Sequence, residues 1–214
     1  MSFLPIYNSW LVGAFLVSVF LWRVELLPLV VLLIACSVFF FWYDLINCKF
    51  HYEAAFWLFI LSEVMAFGSL LACCVWFDCG FSANLSNPLE IPFLGCFLLL
   101  GSSMTVTGYH HLWSCRESWV LLGLTVFLGT SFIVLQLFEL NEIGFNIADS
   151  SFHASSFCTV GLHFIHVVLG VVGLLLVLCL GGRSSGHYRS TLVTWYWHFV
   201  DYVWLLVYAV VYVC

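Results

Sequence analysis

Charged residues are scarce in this chain. Aspartate, glutamate, lysine and arginine make up 7% of its 214 residues, whereas 64% are hydrophobic and the mean hydropathy is +1.12. Soluble domains carry about 25% charged residues, so this composition leaves too little polar surface to cover a protein in water. It excludes a soluble globular protein and indicates an integral membrane protein, for which no nucleic-acid partner is expected.

Lysine and closely spaced cysteines are also nearly absent. Lys49 is the only lysine and lies outside every long hydrophobic run, so the chain cannot form the membrane-buried Schiff base of a retinal protein. The ten cysteines include no Cys-x-x-Cys pair, and we expect them to pack as small apolar residues. The abundance of Phe, Leu, Val, Trp and Cys, with a single glutamine, is typical of a small organellar genome.

Long hydrophobic runs are what the sequence has in abundance. A helix needs about 20 apolar residues to cross a bilayer core about 30 Å thick, and clusters of charge, Pro, Asn and Gly separate the runs. We predict an all-α polytopic membrane protein, a single membrane domain (1–214) with helices 1 and 2 in 1–47 and helices 3 to 7 in 54–214. The seven predicted spans lie near residues 8–22, 27–46, 54–77, 92–113, 119–138, 155–180 and 191–213.

The distribution of basic residues predicts the orientation. Only Arg23 falls on the side of the membrane opposite the N-terminus, and the other basic residues fall on the N-terminal side: Lys49, Arg116, Arg183 and Arg189. The positive-inside rule then places the N-terminus in the matrix or cytoplasm and the C-terminus in the opposite compartment. Glu139 is expected among the loop carboxylates of that opposite side. We predict the mitochondrial inner membrane, with a bacterial inner membrane as the alternative.

One carboxylate lies in the middle of a predicted span. Glu63 has no basic residue near it in the sequence, so it must be protonated or paired through another helix. His163 and His166 share a face of the sixth span, and at 1.5 Å per residue His166 comes to a similar depth as Glu63. We predict that Glu63 and His166 hydrogen-bond across the bundle. The alternative is a protonated Glu63 bonded only to hydroxyls or backbone.

A histidine and a second carboxylate lie in the aromatic-rich seventh span. His198 and Asp201 are three residues apart and so share a helix face, where we predict that each satisfies the other as a fold-specifying pair near the inner end of the helix. No catalytic or metal-binding residue is predicted. Haem or copper sites need several His or Cys that converge with recognisable spacing, which this sequence lacks.

Basic and aromatic residues at the inner surface are candidates for lipid binding. They would lie at headgroup level on one side of the membrane, where they suit phospholipid phosphates. The alternative is that they are ordinary positive-inside residues. The candidates are Trp42, Lys49, Arg183, His187 and Arg189.

Taken in order, several short motifs resemble those of cytochrome c oxidase subunit III, of the haem-copper oxidase subunit 3 family. The resemblance extends from Phe59 to Tyr212. It is carried by Phe59-Ile-Leu-Ser-Glu-Val64, Asn87-Pro-Leu-Glu-Ile-Pro92, His110-His111, Leu135-Gln-x-x-Glu139, Gly161-x-His-x-x-His166 and Trp195-Tyr-Trp-His-Phe-Val-Asp201. No single motif is decisive, but the ordered set is highly specific.

The resemblance implies a core subunit without a redox centre of its own. Such subunits bind the catalytic subunit I, lie in a complex with subunit II and accessory subunits, and hold phospholipids in a cleft between the two-helix and five-helix parts. They support sustained proton uptake while the complex reduces dioxygen to water and pumps protons. Haem and copper belong to the partner subunits. By position, Glu63 matches the family's buried carboxylate and His166 a histidine close to it.

The sequence leaves two alternative functions open. The corresponding subunit of a quinol oxidase shares the fold and differs in the electron donor of its complex. A proton-coupled transporter would use Glu63, His166, His198 and Asp201 as a relay. Transporters usually show paired repeats and broken helices, and neither is evident in this sequence.

Overall fold

Seven α-helices account for most of the residues that the structure describes. The structure is a computed structural model that describes residues 4–21, 24–47, 53–78, 85–113, 115, 117–180 and 182–213. The helices are α1 (Leu4–Phe20), α2 (Leu27–Asn47), α3 (Glu53–Phe77), α4 (Ile91–His111), α5 (Ser118–Glu142), α6 (Ser151–Leu180) and α7 (Gly182–Val207). A one-turn 3₁₀ helix (Val24–Leu26) precedes α2, and a π-helical segment (Tyr208–Val213) follows α7.

Among the described residues, five helices are long and apolar enough to cross a membrane. They correspond to the third to seventh predicted spans: Glu53–Phe77, Ile91–His111, Ser118–Glu142, Ser151–Cys179 and Gly186–Val213. The apolar parts of the first two helices are shorter, Leu4–Ser18 and Pro28–Phe40, so their crossing of the membrane stays a prediction. The all-α architecture predicted from the hydrophobic runs is confirmed.

Contacts divide the chain into two compact units, one through Tyr52 and one from Glu53 onward. In the first unit α1 packs on α2, and two polar contacts join them. The Tyr7 hydroxyl donates to the carbonyl of Leu33 at 3.0 Å, and the Ser37 hydroxyl bonds with the side chain of Asn8. Each contact gives a hydroxyl of one helix a hydrogen-bond partner on the other.

In the second unit α7 lies at the centre of a five-helix bundle. It packs against α3, α4 and α6, while α5 packs between α4 and α6. The indoles of Trp197 and Trp204 are fully buried there. Gly186 has a φ of 74° and breaks the helix near its start, a conformation that a side chain disfavours. The apolar part of α7 therefore begins after Gly186 and reaches Val213 through the π-helical segment.

Two glycines make room for the Trp197 ring. A Cβ added at Gly129 of α5 would lie 2.7 Å from Trp197 Cη2, and one at Gly170 of α6 would lie 2.8 Å from Trp197 Cε3. The indole N–H donates to the Ser102 hydroxyl of α4 at 2.9 Å. Trp197 therefore contacts three helices besides its own, and close approach of the backbones at the two glycines is what admits it.

We expect the substitution Gly129→Ala to destabilise the five-helix bundle. The added methyl group overlaps a fully buried indole that cannot move aside, and overpacking of this kind costs about 1–3 kcal/mol. Thermal unfolding of the purified protein, followed by tryptophan fluorescence, measures the loss. Gly123→Ala on the same helix is the matched control, since nothing lies within 4 Å of its added Cβ. Equal stability of the two variants would contradict the packing described for Trp197.

Candidate functional site

The Glu63 carboxylate and the His166 imidazole meet between α3 and α6. His166 Nε2 lies 3.0 Å from Glu63 Oε2, and the Glu63 side chain is 22% exposed against 8% for His166. This is the contact expected from the depths of the two residues in their spans. It places the mid-span acid beside a proton-accepting group of another helix.

The second ring nitrogen of His166 restricts where protons can lie. Nδ1 lies 2.8 Å from the carbonyl oxygen of Leu162, and because a carbonyl only accepts, Nδ1 carries a hydrogen. If His166 is neutral, Nε2 is unprotonated and the hydrogen bond to Glu63 needs a proton on the carboxyl group. If Glu63 is ionised, His166 must be doubly protonated. Either way one proton lies between the two side chains, and the pair as a whole is uncharged.

Aromatic rings enclose this pair. The Phe67 ring, which is 3% exposed, meets the His166 ring edge to face at 5.2 Å between centroids, and the Tyr196 ring is stacked at 6.3 Å. The Tyr196 hydroxyl donates to the backbone carbonyl of His166 at 3.4 Å. Apolar walls of this kind favour the uncharged arrangement, since separated charges are costly away from water.

His163, the other candidate on α6, points elsewhere. Its Nε2 donates to the carbonyl oxygen of Val200 on α7 at 3.1 Å, and its ring is buried between Phe132 and Trp204. Depth in the two spans predicted His166 as the partner of Glu63, but the sequence left the orientation of His163 open, because both histidines lie on one face of the helix. The structure pairs only His166 with Glu63.

The predicted direct pair of His198 with Asp201 is wrong. His198 Nδ1 bonds with the Ser103 hydroxyl at 2.7 Å and His198 Nε2 with the Thr107 hydroxyl at 3.3 Å, both on α4. Asp201 is 1% exposed, and neither of its oxygens has a hydrogen-bond partner among the described residues. Both residues also lie about halfway along the Gly186–Val213 segment instead of at its inner end. The His198 imidazole bonds to hydroxyls of the neighbouring helix instead of to Asp201.

Glu139 was missed as a buried group. The sequence places it in a loop just beyond the fifth span, but α5 continues to Glu142 and leaves Glu139 only 1% exposed. The Gln136 amide donates to Glu139 Oε2 at 2.7 Å, and the Ser86 hydroxyl bonds to Oε1 at 2.8 Å. A signal was present in the sequence, because Gln136 and Glu139 are three residues apart and share a helix face.

The lipid-binding candidates are only partly described. Lys49 and the side chains of Trp42 and Arg183 lie outside the described part of the chain. His187 and Arg189 are exposed. His187 lines a pocket of about 440 Å³ within the second unit, together with Glu53, Tyr188, Thr191, Leu192 and Trp195.

His187 also lies beside another histidine, His110 at the end of α4. His110 Nε2 bonds with the Thr191 hydroxyl at 3.2 Å, and the rings of His110 and His187 are 5.5 Å apart. Within the described ranges no group of three or more His, Cys, Asp or Glu side chains is arranged to hold a metal ion. The contacts of His110 with Thr191 and His187 join the end of α4 to the start of α7.

Comparison with known proteins identifies the family. The family model described as cytochrome c oxidase subunit III matches residues 27–214, which include α2 and the whole five-helix unit. The chain belongs to the cytochrome c oxidase subunit III family. The order of motifs from Phe59 to Tyr212 therefore reflects family membership, and the predicted resemblance is confirmed.

Several curated relatives of the chain come from animals. The chain is 35% identical over 175 residues to cytochrome c oxidase subunit 3 of Locusta migratoria, covering 72% of this chain and 66% of the relative. Identity is 38% over 181 residues with the Drosophila melanogaster protein, with the same coverage, and 36% over 170 residues with that of Struthio camelus, covering 76% and 64%. The chain thus spans slightly less than two thirds of the length of these relatives.

We expect Glu139→Leu to destabilise the bundle. The substitution leaves the Gln136 amide buried without its acceptor and removes the partner of Ser86, and an unsatisfied buried polar group costs about 1–3 kcal/mol. Thermal unfolding measures the change. Glu142→Leu, the same substitution at an exposed position of the same helix, is the control and should cost much less. Equal losses in the two variants would show that the buried contacts of Glu139 contribute nothing.

Proposed function

We propose that this chain is the core non-redox subunit III of a cytochrome c oxidase, the respiratory complex that reduces dioxygen to water and pumps protons. The observation that carries the proposal is the match of the family over residues 27–214, joined by a proton-sharing pair in the middle of the bundle. Haem and copper then belong to partner subunits, and the chain itself contributes stability, lipid binding and sustained proton uptake.

The Glu63–His166 pair is the group best suited to a role in proton supply. The pair holds one proton between two atoms 3.0 Å apart. The Glu63 side chain remains partly exposed, whereas the His166 side chain is almost fully buried. The pair is uncharged while its two side chains share the proton. It can therefore exchange that proton without leaving a lone charge in the hydrocarbon region. The rings of Phe67 and Tyr196 pack against the His166 ring and hold it beside Glu63.

We assign the partners and the membrane on the same basis. Subunit I is the main partner, with subunit II and accessory subunits in the same complex, and the mitochondrial inner membrane is the location, with the N-terminus in the matrix and the C-terminus in the intermembrane space. The relatives named above are animal cytochrome c oxidase subunits, which favours this membrane over a bacterial one. Phospholipids would bind at the end of the bundle where the exposed His187 lines a pocket.

Two other functions are weaker. The equivalent subunit of a quinol oxidase has the same fold, but the named relatives are subunits of the cytochrome c enzyme. A proton-coupled transporter would need a continuous relay. The described contacts instead direct His166 to Glu63 and His198 to Ser103 and Thr107, on different neighbouring helices.

Co-purification tests the proposed assembly. Membranes that contain the chain are solubilised in a mild detergent and separated by native electrophoresis. We expect the chain to migrate with subunits that carry haem absorbance and to sustain oxidation of cytochrome c. Recovery of a folded chain with no haem-bearing partner would refute the proposal, and recovery with activity toward quinol alone would favour the quinol oxidase.

The substitution Glu63→Gln separates proton supply from packing. The amide can still donate a hydrogen bond to His166 Nε2 and fills nearly the same volume, but it cannot release a proton. We expect the complex to assemble with normal haem content, while its turnover falls several-fold over successive cycles. Oxygen consumption and proton release, followed through repeated turnovers, provide the measurement.

The exposed Glu142 at the end of α5 offers the matched control. Glu142→Gln makes the same chemical change without touching His166 and should leave turnover at the wild-type level. Wild-type turnover and proton release in Glu63→Gln as well would remove any proton role and leave Glu63 only a packing role.

A further inference from the structure

The buried Asp201 carboxyl presents a problem that neither the packing nor the proposed function resolves. Its side chain is 1% exposed, both oxygens lack a hydrogen-bond partner among the described residues, and no lysine or arginine occurs in α3, α4, α5 or α6. An ionised carboxylate in such a place would be a lone charge away from water. The carboxyl therefore needs a proton and an acceptor for it.

The arrangement of the hydroxyls on α4 identifies the acceptor. The Thr107 hydroxyl donates to the carbonyl of Ser103 at 2.8 Å, so its oxygen accepts from His198 Nε2–H. His198 Nδ1 then carries no hydrogen in the neutral ring and accepts from the Ser103 hydroxyl at 2.7 Å. Ser103 has thereby used its only hydrogen, so its oxygen can only accept a further hydrogen bond. Asp201 lies three residues from His198 on the same face of α7, beside the Ser103 that His198 contacts, which makes the Ser103 oxygen the acceptor in reach of the acid.

We propose that Asp201, Ser103 and His198 form a proton-binding relay between α7 and α4, in which Asp201 holds the proton at rest. The acid donates toward Ser103 Oγ, directly or through one water, Ser103 donates to His198 Nδ1, and His198 donates to Thr107. Every polar hydrogen of these four side chains then has an acceptor, and none of the four is charged. His198 and Asp201 are therefore connected through the Ser103 hydroxyl of α4 instead of bonding to each other.

The same geometry permits one internal proton transfer. The Asp201 O–H bond breaks as its proton passes to Ser103 Oγ, while the Ser103 proton passes to His198 Nδ1. The products are an Asp201 carboxylate and a His198 imidazolium, with Ser103 unchanged and the total number of protons conserved. His198 is less buried than Asp201, so the relay connects a buried acid to a group nearer the surface of the bundle.

Infrared spectroscopy of the protein isolated from its membrane, with whatever subunits accompany it, tests this relay. We expect a carboxylic-acid C=O band, sensitive to deuterium exchange, that is lost in Asp201→Asn. In Ser103→Ala the same band should shift to higher wavenumber, because the acid loses its acceptor. Ser69→Ala is the matched control, since the Ser69 hydroxyl is exposed and bonds only to the carbonyl of Ala66 in its own helix.

Two outcomes would overturn the proposal. In the first, Asp201→Asn removes carboxylate bands from the spectrum and does not remove an acid band, which would show that Asp201 is ionised at rest. The second is a Ser103→Ala spectrum identical to that of Ser69→Ala, which would show that Ser103 does not accept from the acid. If Asp201→Asn fails to accumulate, the shift in Ser103→Ala against the control decides the matter alone. Neither result depends on whether the complex oxidises cytochrome c.

Discussion

The absence of competing water in the membrane interior is the constraint on which this bundle depends. A polar side chain there must find its partner on another helix, because hydrocarbon offers no hydrogen bonds. The clearest example is the 3.0 Å contact between Glu63 and His166, which joins α3 to α6 and is neutral only when the two share a proton. The same requirement ties Trp197 to Ser102 and holds His198 against α4. Polar contacts thus select which helices are neighbours, while apolar packing fills the space between them.

Hydropathy was enough to predict the helices and their order, because a run of about 20 apolar residues is typical of a membrane-spanning helix. Depth along two opposed helices was also enough to match Glu63 with His166. The pairing of His198 with Asp201 failed for a different reason. Spacing of three residues brings two side chains to one face, but it does not reveal the hydroxyls that a neighbouring helix presents to that face. Glu139 was missed because a charge at the end of a hydrophobic run was read as the start of a loop.

These contacts also shape the functional proposal. The site has no metal-ligand group among its described residues, and its chemistry is that of protons held by weak acids and imidazoles. The proposed function assigns this chemistry the task of keeping protons available to the complex and helices fixed. The two histidine-containing sites, one on α3 and α6 and one on α4 and α7, use the same solution: an acid and an imidazole share protons so that neither is charged alone.

The protonation of His166 tests this account most directly. Nitrogen-15 NMR of the histidine-labelled protein, with the His166 signals assigned from the difference against His166→Gln, reports which ring nitrogens carry hydrogen. The account predicts a hydrogen on Nδ1, since that nitrogen faces the carbonyl of Leu162 at 2.8 Å, and a second proton exchanging between Nε2 and Glu63. A neutral ring with its hydrogen on Nε2 and a bare Nδ1 would contradict it.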